Sequence, residues 1–286
     1  MIWYLLVAAC LVILYGIFVI VRDMNRFVIV PYEVRSKKIR EKYTFVMLSD
    51  LHNQSFGKKN EKLIRAILDC HPDSVITAGD MYTSKAGTGY ENALALLKAL
   101  SEQVPVYLAN GNHEHKTSEY PEAFGGMYES YLKELKKYGL EPIVNEHMIL
   151  PEQNIDLCGL QISRNYFRHF KKREMPAGYV DKLAGEASKE RFQILIAHNP
   201  IYFPEYAKWG ADLVLSGHVH GGIIRLPFLG GVVSPAATLF PKYDGGRFEE
   251  GNSTMILGRG LGTHTIPVRM WNPGEVVLVT LLPEDN

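Results

Sequence analysis

The sequence predicts an α/β protein in which two packed β-sheets are flanked by helices and preceded by a membrane-spanning helix. Three observations favour this class. The chain begins with a long apolar stretch, its first part alternates β-prone runs with amphipathic helical segments, and its second part is rich in short β-prone runs. Alternating strands and helices indicate a mostly parallel sheet. A β-rich second half favours a second sheet packed on the first.

The apolar stretch at residues 2–21 contains no charged residue and is long enough to cross a bilayer as a helix. A cleaved signal peptide is the alternative, but no basic residue precedes the stretch. The basic residues that follow it are Arg22, Arg26, Arg35, Lys37, Lys38, Arg40 and Lys42. By the positive-inside rule we expect a single-pass protein of the cell membrane whose main domain is cytoplasmic. We expect a transmembrane helix at 1–21, a basic juxtamembrane linker at 22–42 and one domain at 43–286.

Composition excludes several classes of function. The 286 residues carry a formal net charge of zero, whereas a general nucleic-acid binder needs a basic excess, so no nucleic-acid partner is expected. The three cysteines, Cys10, Cys70 and Cys158, are odd in number and far apart, and they suggest no disulfide framework. Composition does not indicate an oligomeric state.

The elements of the main domain follow from periodicity and turn residues. Helical spacing predicts helices at 61–70, 90–100 and 128–138. An edge strand is predicted at 27–34 despite Pro31. Further predicted strands are 44–48, 74–78, 104–109, 143–150, 155–162, 192–197, 213–215, 223–233, 255–257 and 275–282.

Polar side chains follow five of these strands at the point where each strand ends. They are Asp50 and His52, Asp80, Asn112 and His113, His198, and His218 and His220. Each could be structural on its own, since Asp and Asn are common in turns and caps. Carboxyl ends of parallel strands share one edge, however, so we expect the five groups to converge. Carboxylates, imidazoles and one amide oxygen without a thiolate suit manganese, iron or zinc, and exclude a structural zinc site of the cysteine type.

Taken in order, these residues resemble the signature of the calcineurin-like metallophosphoesterases. The matching blocks are Asp50-x-His52, Gly79-Asp80, Gly111-Asn112-His113-Glu114, His198 and Gly217-His218-Val219-His220. Four later segments are similar to the membrane-associated bacterial subgroup of that family: 225–227, 241–244, 259–262 and 272–273. The likeness covers nearly all of residues 44–282, and the ordered set is far more specific than any single block.

The resemblance implies an αββα four-layer sandwich of two mixed β-sheets flanked by helices, and a hydrolase with two divalent metal ions. Two sets would hold the ions, with Asp80 as the bridge: Asp50, His52 and His220 for one, and Asn112, His198 and His218 for the other. The implied reaction is attack by a metal-bridged hydroxide on a phosphodiester, a phosphomonoester or a lipid-linked pyrophosphate. A non-catalytic, membrane-anchored scaffold with the same fold is the alternative. Scaffolds can lose ligands freely, and here none is missing.

His113 is the remaining group of the implied site. It would protonate the leaving oxygen as a general acid or stabilise the phosphoryl charge, and the alternative is that it only orients a metal ligand. Many members of the family carry a further aspartate soon after the Gly-Asp pair, which can orient this histidine. Here the sequence continues Met81-Tyr82-Thr83, so the orienting group stays open.

Arg164, Arg225 and Arg259 are candidates for binding substrate phosphate, because a guanidinium group offers paired donors. Ordinary ion pairs are the alternative for each. Arg164 also opens a basic and aromatic segment at 164–173, which is either a lid or lipid-headgroup contact or, more simply, a solvated loop. The sequence identifies neither the substrate nor the metal.

Overall fold

The computed structural model of the protein describes residues 1–167, 173–226, 228–233, 239–263 and 266–284. Part of the basic segment at 164–173 lies outside the described residues. The α-helices are α1 (Ile2–Met24), α2 (Glu61–Leu68), α3 (Glu91–Ser101), α4 (Asn112–Glu119), α5 (Met127–Lys136), α6 (Tyr179–Ala184) and α7 (Phe203–Trp209). The strands are β1 (Phe27–Ser36), β2 (Tyr43–Leu48), β3 (Ser74–Thr77), β4 (Val106–Ala109), β5 (Pro142–Ile143), β6 (Glu146–Leu150), β7 (Ile155–Leu160), β8 (Phe192–Ala197), β9 (Leu213–Ser216), β10 (Ile224–Leu226), β11 (Gly230–Val233), β12 (Gly246–Glu250), β13 (Ser253–Leu257) and β14 (Gly274–Pro283).

Two six-stranded mixed sheets form the middle of the domain. Their strand orders are β1-β14-β2-β3-β4-β5 and β12-β13-β9-β8-β7-β6. An apolar core of residues from both sheets, among them Phe45, Ile194 and Val279, lies between them. A second cluster packs α2, α3 and α5 on the outer face of the first sheet, and a third packs α6 and α7 on the second. The predicted αββα sandwich is therefore confirmed.

Strand direction places the polar strand ends at one edge of the sandwich. Strands β2, β3 and β4 are parallel neighbours in the first sheet, as are β8 and β9 in the second. The edges of the two sheets meet where the His218 N–H donates to the Asp50 carboxylate, at 2.9 and 3.1 Å from its two oxygens. We call this the carboxyl edge of the sandwich.

The chain enters the sandwich at this same edge. Strand β1 is parallel to β14, and β14 is antiparallel to β2, so β1 begins beside the carboxyl end of β2. The apolar helix α1 ends at Met24, just before β1. It is long and apolar enough to span a membrane, and its apolar surface is almost entirely exposed. The apolar helix and the carboxyl edge are thus next to each other.

Two predicted strands were wrong in detail. The strand expected at 223–233 is a hairpin of β10 and β11, with Phe228 at its turn in the left-handed region (φ 67°). The strand expected at 143–150 is two strands, β5 and β6, separated where Asn145 has a φ of 55°. In both cases a backbone reversal interrupts an apolar run, and apolar periodicity alone does not reveal such a turn. Strand β12 and helices α4, α6 and α7 were not predicted.

Candidate metal centre

The loops at the carboxyl edge bring together the polar residues that the sequence places after β2, β3, β4, β8 and β9. Three groups of His and Asp side chains have potential ligand atoms within 4.8 Å of one another: Asp50, His52 and His220; His52, Asp80 and His113; and Asp80, His198 and His218. Asp50 and Asp80 are at most 1% exposed. Shared members join the three groups into one cluster.

Short distances run through the whole cluster. His198 Nε2 lies 3.0 Å from Asp80 Oδ2 and 3.7 Å from Asp50 Oδ1. His220 Nε2 lies 3.4 Å from Asp50 Oδ1 and 3.1 Å from His52 Nε2. Two imidazole nitrogens at this distance can share a proton or bind the same metal ion.

Backbone carbonyl groups fix the orientation of two imidazoles. His198 Nδ1 lies 2.6 Å from the Ala78 carbonyl oxygen, and His220 Nδ1 lies 3.1 Å from that of Gly262. A carbonyl oxygen only accepts, so each Nδ1 carries the proton and donates. In the neutral form of each ring, which metal ligation requires, the Nε2 lone pair therefore points into the cluster.

Several of these residues adopt backbone conformations that side chains rarely take. The residues with positive φ are Asp50 (50°), His52 (49°), Asp80 (57°), His218 (76°) and His220 (54°). A residue other than glycine in this region costs about 1–3 kcal/mol, and such residues concentrate at functional sites. The sharp turns that follow β2, β3 and β9 aim these side chains back across the edge, which an extended exit would not do.

Two glycines allow the loops after β3 and β4 to touch. A Cβ atom on Gly79 would collide with the backbone of Gly111, and one on Gly111 would collide with the Asp80 side chain. Any larger residue would push these loops apart. The glycines of the Gly-Asp and Gly-Asn-His-Glu blocks therefore allow Asp80 and Asn112 to lie in neighbouring loops that are in contact.

The electrostatics of the cluster favour an ionised Asp80 beside a charged His198, whereas burial raises the pKa of Asp50. Burial lowers the pKa of His198, but the charge and hydrogen bond of Asp80, with the charge of Asp50, outweigh burial and raise that pKa to about 10. Burial would raise the pKa of Asp80, yet the charges of His198 and His113 hold it well below its usual range. His198 thus supplies positive charge beside the Asp80 carboxylate.

Glu114 is a functional residue whose role sequence reasoning missed, although it closes the Gly-Asn-His-Glu block. Its buried carboxylate accepts the N–H groups of Asp80 (2.9 Å), Met81 (2.7 Å) and Gly111 (2.9 Å). Burial and the Asp80 charge raise the pKa of Glu114 to about 7. The backbone N–H donors act in the opposite direction, because they stabilise the carboxylate. Glu114 ties the β3 and β4 loops together.

We expect Glu114→Ala to lower the free energy of unfolding by about 3–5 kcal/mol, because it leaves several buried N–H groups without an acceptor. Urea unfolding of the detergent-solubilised protein, followed by circular dichroism, measures this loss. Glu122, which is exposed, provides the matched control, and Glu122→Ala should cost less than about 0.5 kcal/mol. Equal losses for the two variants would contradict the interpretation that Glu114 holds the loops after β3 and β4 together.

Ser84 answers the question of what orients His113. The Ser84 N–H donates to His113 Nδ1 at 2.8 Å, and Ser84 Oγ lies 2.7 Å from the same nitrogen. A backbone N–H only donates, so Nδ1 holds a lone pair and the ring proton is on Nε2. That nitrogen lies 3.8 Å from Asp80 Oδ2. Burial lowers the pKa of His113, which also favours this neutral form. The sequence has three hydroxyl residues in a row here, Tyr82, Thr83 and Ser84, and does not single out Ser84.

The three candidate arginines each contact a carboxylate. Arg164 Nη1 lies 2.9 Å from Glu119 Oε2, Arg225 Nη1 lies 3.0 Å from Asp244 Oδ2, and Arg259 pairs with Glu275. Each of the three arginines is therefore held in position by an acidic side chain of the protein.

The cluster fits divalent metal ions on two grounds. Asn112 Oδ1 is buried and has no hydrogen-bond partner among the described residues, an arrangement that costs free energy unless a ligand is bound. The donors are imidazole nitrogens and carboxylate and amide oxygens, which suit manganese, iron or zinc. The three overlapping groups offer more ligand atoms than one ion needs.

The fold and this cluster define a metal-dependent hydrolase of the sandwich type. Residues 43–222 match the model of the calcineurin-like phosphoesterases, and the chain belongs to that family. Proteins of this family use a dinuclear divalent metal site, and the His and Asp cluster of this chain offers ligands for divalent ions.

Curated relatives agree with the assignment to this family. An uncharacterized metallophosphoesterase of Helicobacter pylori (strain 26695) is 27% identical over 253 residues, covering 87% of this chain and 62% of the relative. The uncharacterized metallophosphoesterase YkuE of Bacillus subtilis is 25% identical over 257 residues, covering 84% and 79%. The phosphodiesterase YaeI of Escherichia coli is 24% identical over 228 residues, covering 77% and 76%. The chain thus spans less than two thirds of the length of the Helicobacter relative.

Proposed function

We propose that this protein hydrolyses a phosphate ester at two divalent metal ions held at the carboxyl edge. The observation that carries the proposal is the cluster of overlapping His and Asp groups found among the described residues. In the proposed assignment Asp80 is shared, Asp50, His52 and His220 hold one ion, and Asn112, His198 and His218 hold the other. When bound, such ions would neutralise phosphate charge and make water a better nucleophile.

The residues of the chain supply position and hydrogen bonds. The two aspartates offset only half the charge of two divalent ions, so an anionic ester is attracted to the cluster. His113 points Nε2–H from the neutral ring, where it can donate to a phosphoryl or leaving oxygen. Ser84 holds that ring in place. Phosphodiesters, phosphomonoesters and lipid-linked pyrophosphates all present oxygens that this arrangement can bind.

A metal-dependent assay separates this function from the scaffold alternative. We expect the purified protein to hydrolyse a chromogenic aryl phosphodiester when manganese is added, and to lose that activity when a chelator is added and regain it with fresh metal. Asp80→Asn is the matched control, since it keeps the shape of the side chain. If metal analysis shows occupied sites but no ester is hydrolysed with any divalent ion, the protein is a scaffold.

We further propose that the catalytic domain faces the cytoplasm. Residues 1–21 would form the anchor, 22–42 the basic linker and 43–286 the catalytic domain, with β1 of the linker added to the first sheet. Arg22 and Arg26, both more than a third exposed, lie at the end of α1. Basic residues on this side favour retention in the cytoplasm.

A pair of reporters at the C-terminus tests the topology. We expect alkaline phosphatase fused after Asn286 to be inactive and green fluorescent protein at the same position to be fluorescent, because the first requires export and the second folds in the cytoplasm. Immunoblots of both fusions control for expression. An active phosphatase fusion with a dark fluorescent fusion would place the domain outside the cell.

A further inference from the structure

The last turns of α1 are packed against the catalytic domain. Val19 and Asp23 are both fully buried, and they lie on one face of the helix. The Asn272 N–H donates to Asp23 Oδ2 at 3.1 Å. Further toward the N-terminus, a Cβ atom on Gly16 would lie 3.7 Å from Met270 Cε. The domain therefore contacts α1 from Gly16 to its end.

The length of α1 gives this contact a depth in the membrane. Residues 2–21 carry no charge and rise about 30 Å at about 1.5 Å per residue, which matches the thickness of a hydrocarbon core. Residues 16–21, which are apolar except for Gly16, belong to this run, so we expect them in hydrocarbon at the level where the domain contacts them.

The part of the domain at that level is the β10–β11 hairpin and the segment leading to β14. Met270 pairs with β10 through two hydrogen bonds. The Met270 N–H donates to the Ile223 carbonyl oxygen at 3.1 Å, and the Arg225 N–H donates to the Met270 carbonyl oxygen at 3.0 Å. Large apolar side chains are exposed around this bridge. They form what we call the apolar rim: Phe228, Leu229, Leu239, Phe240, Ile266 and Trp271.

The hairpin turn of the rim exposes a large apolar side chain, which is unfavourable for a surface in contact with water. Phe228 is fully exposed, and its φ of 67° is uncommon for a bulky residue. Leu239 bridges Val233, and the Phe240 N–H donates to the Val232 carbonyl at 3.0 Å, so these two side chains are held beside the hairpin. An apolar surface of this kind marks a contact with a partner.

We propose that the apolar rim inserts into the same membrane leaflet as the end of α1, so that the metal cluster opens at the membrane surface. The partner is the bilayer, because the rim is continuous with a helix that requires hydrocarbon at that level. The topology agrees, since α1 reaches the sandwich at the carboxyl edge.

A cavity of about 580 Å³ lies beside the rim. Phe228, Leu229 and Trp271 line one part of it, and Arg225 and Arg259 line another. Arg225 Nη1 also lies 3.3 Å from the Gly221 carbonyl oxygen, directly after His220 in the chain. Given the proposed phosphoesterase function, the substrate class is an amphiphilic phosphate ester whose apolar tail stays in the lipid.

Depth measurements on the full-length protein in phospholipid vesicles test the rim without any reference to activity. In a chain with Cys10→Ala and Cys70→Ala, Phe228→Cys is labelled with a fluorophore, while the third cysteine, Cys158, stays buried. Lys189→Cys, exposed before β8 at the opposite edge, is the matched control, and Leu229→Cys is a second rim position. We expect lipid-borne quenchers to place both rim labels about 5–10 Å below the headgroups and to leave the control label unquenched. Rim labels that remain in water, or three labels quenched alike, would overturn the proposal.

A rate comparison tests the substrate class. Phe228→Asp combined with Leu229→Asp should lower hydrolysis of a vesicle-embedded lipid phosphate ester on the order of tenfold relative to a water-soluble aryl ester. The ratio of the two rates is the readout, so a general loss of activity does not count as support. An unchanged ratio would overturn the amphiphilic substrate. Absence of activity on both esters in the parent chain would instead contradict the proposed function, and the depth result would stand by itself.

Discussion

Asp80→Ala is expected to remove both metal ions and to reduce ester hydrolysis at least about 10³-fold, because Asp80 is the only proposed ligand common to both ions. The carboxylate lies at the junction of the cluster, with Oδ2 3.0 Å from His198 Nε2 and Oδ1 accepting the His113 N–H at 2.8 Å. Metal content of the purified variant, measured by elemental analysis, checks the first part, and initial rates with added manganese check the second.

Asp50→Ala provides the control for that prediction. Asp50 belongs to one of the two proposed ligand sets, so its loss should mainly empty one site and leave about one ion per chain. Both variants must keep the fold, which circular dichroism verifies. If Asp80→Ala and Asp50→Ala each lose the same single ion, Asp80 is not a bridge and the proposed assignment of ligands is wrong.

The convergence of the strand ends could be predicted because it depends on local signals and one topological rule. Asp50, Asp80 and His198 each follow a short apolar run, and parallel strands place such residues at a common edge. Neither signal requires knowledge of side-chain packing. The helices α2 and α3 were predicted for a similar reason, since their apolar stripes recur at helical spacing.

Features that depend on turns and long-range contacts could not be predicted in this way. Ser84 reaches His113 only because the turn after Asp80 folds back over α4, and a serine in a loop carries no such information. The left-handed conformations of His218 and His220 are likewise set by the folded loops, since local preference disfavours them. Residues 226–240 are rich in apolar residues and glycine, which fits either a core hairpin or an apolar rim, and composition alone does not show that Phe228 and Phe240 are exposed.

The packing of α1 against the domain could not be predicted from composition either. Composition identifies residues 2–21 as apolar, but it does not show that the domain contacts the helix as far back as Gly16. Asp23 is fully buried and accepts hydrogen bonds from the Arg22 and Arg26 side chains at 2.9 and 3.0 Å. It also accepts a hydrogen bond from the Asn272 N–H. Asn272 in turn donates to the carbonyl oxygens of His220 and Gly222, both at 2.7 Å. The anchor is thus two hydrogen bonds away from a candidate metal ligand.

His113→Ala is expected to retain both metal ions and to lose about 10²–10³-fold in rate, the usual effect of removing one donor that stabilises developing negative charge. The ring is neutral with its proton on Nε2, because the Ser84 N–H occupies Nδ1. A neutral imidazole donates a hydrogen bond readily but gives up its proton only with difficulty. We therefore expect losses of similar size for an activated aryl ester and for an alkyl ester with a poor leaving group.

Ser84→Ala and His113→Ala, each assayed on both esters, distinguish hydrogen-bond donation by His113 from proton transfer by His113. The variant removes the hydroxyl but keeps the backbone N–H on Nδ1, so the rate should fall by less than about tenfold. His113→Ala with a loss confined to the poor leaving group would show that His113 delivers a proton, which its neutral tautomer does not favour. Steady-state rates on the two esters, for both variants with matched metal content, distinguish the outcomes. Since metal loss would mimic either result, elemental analysis of each variant must accompany the rates.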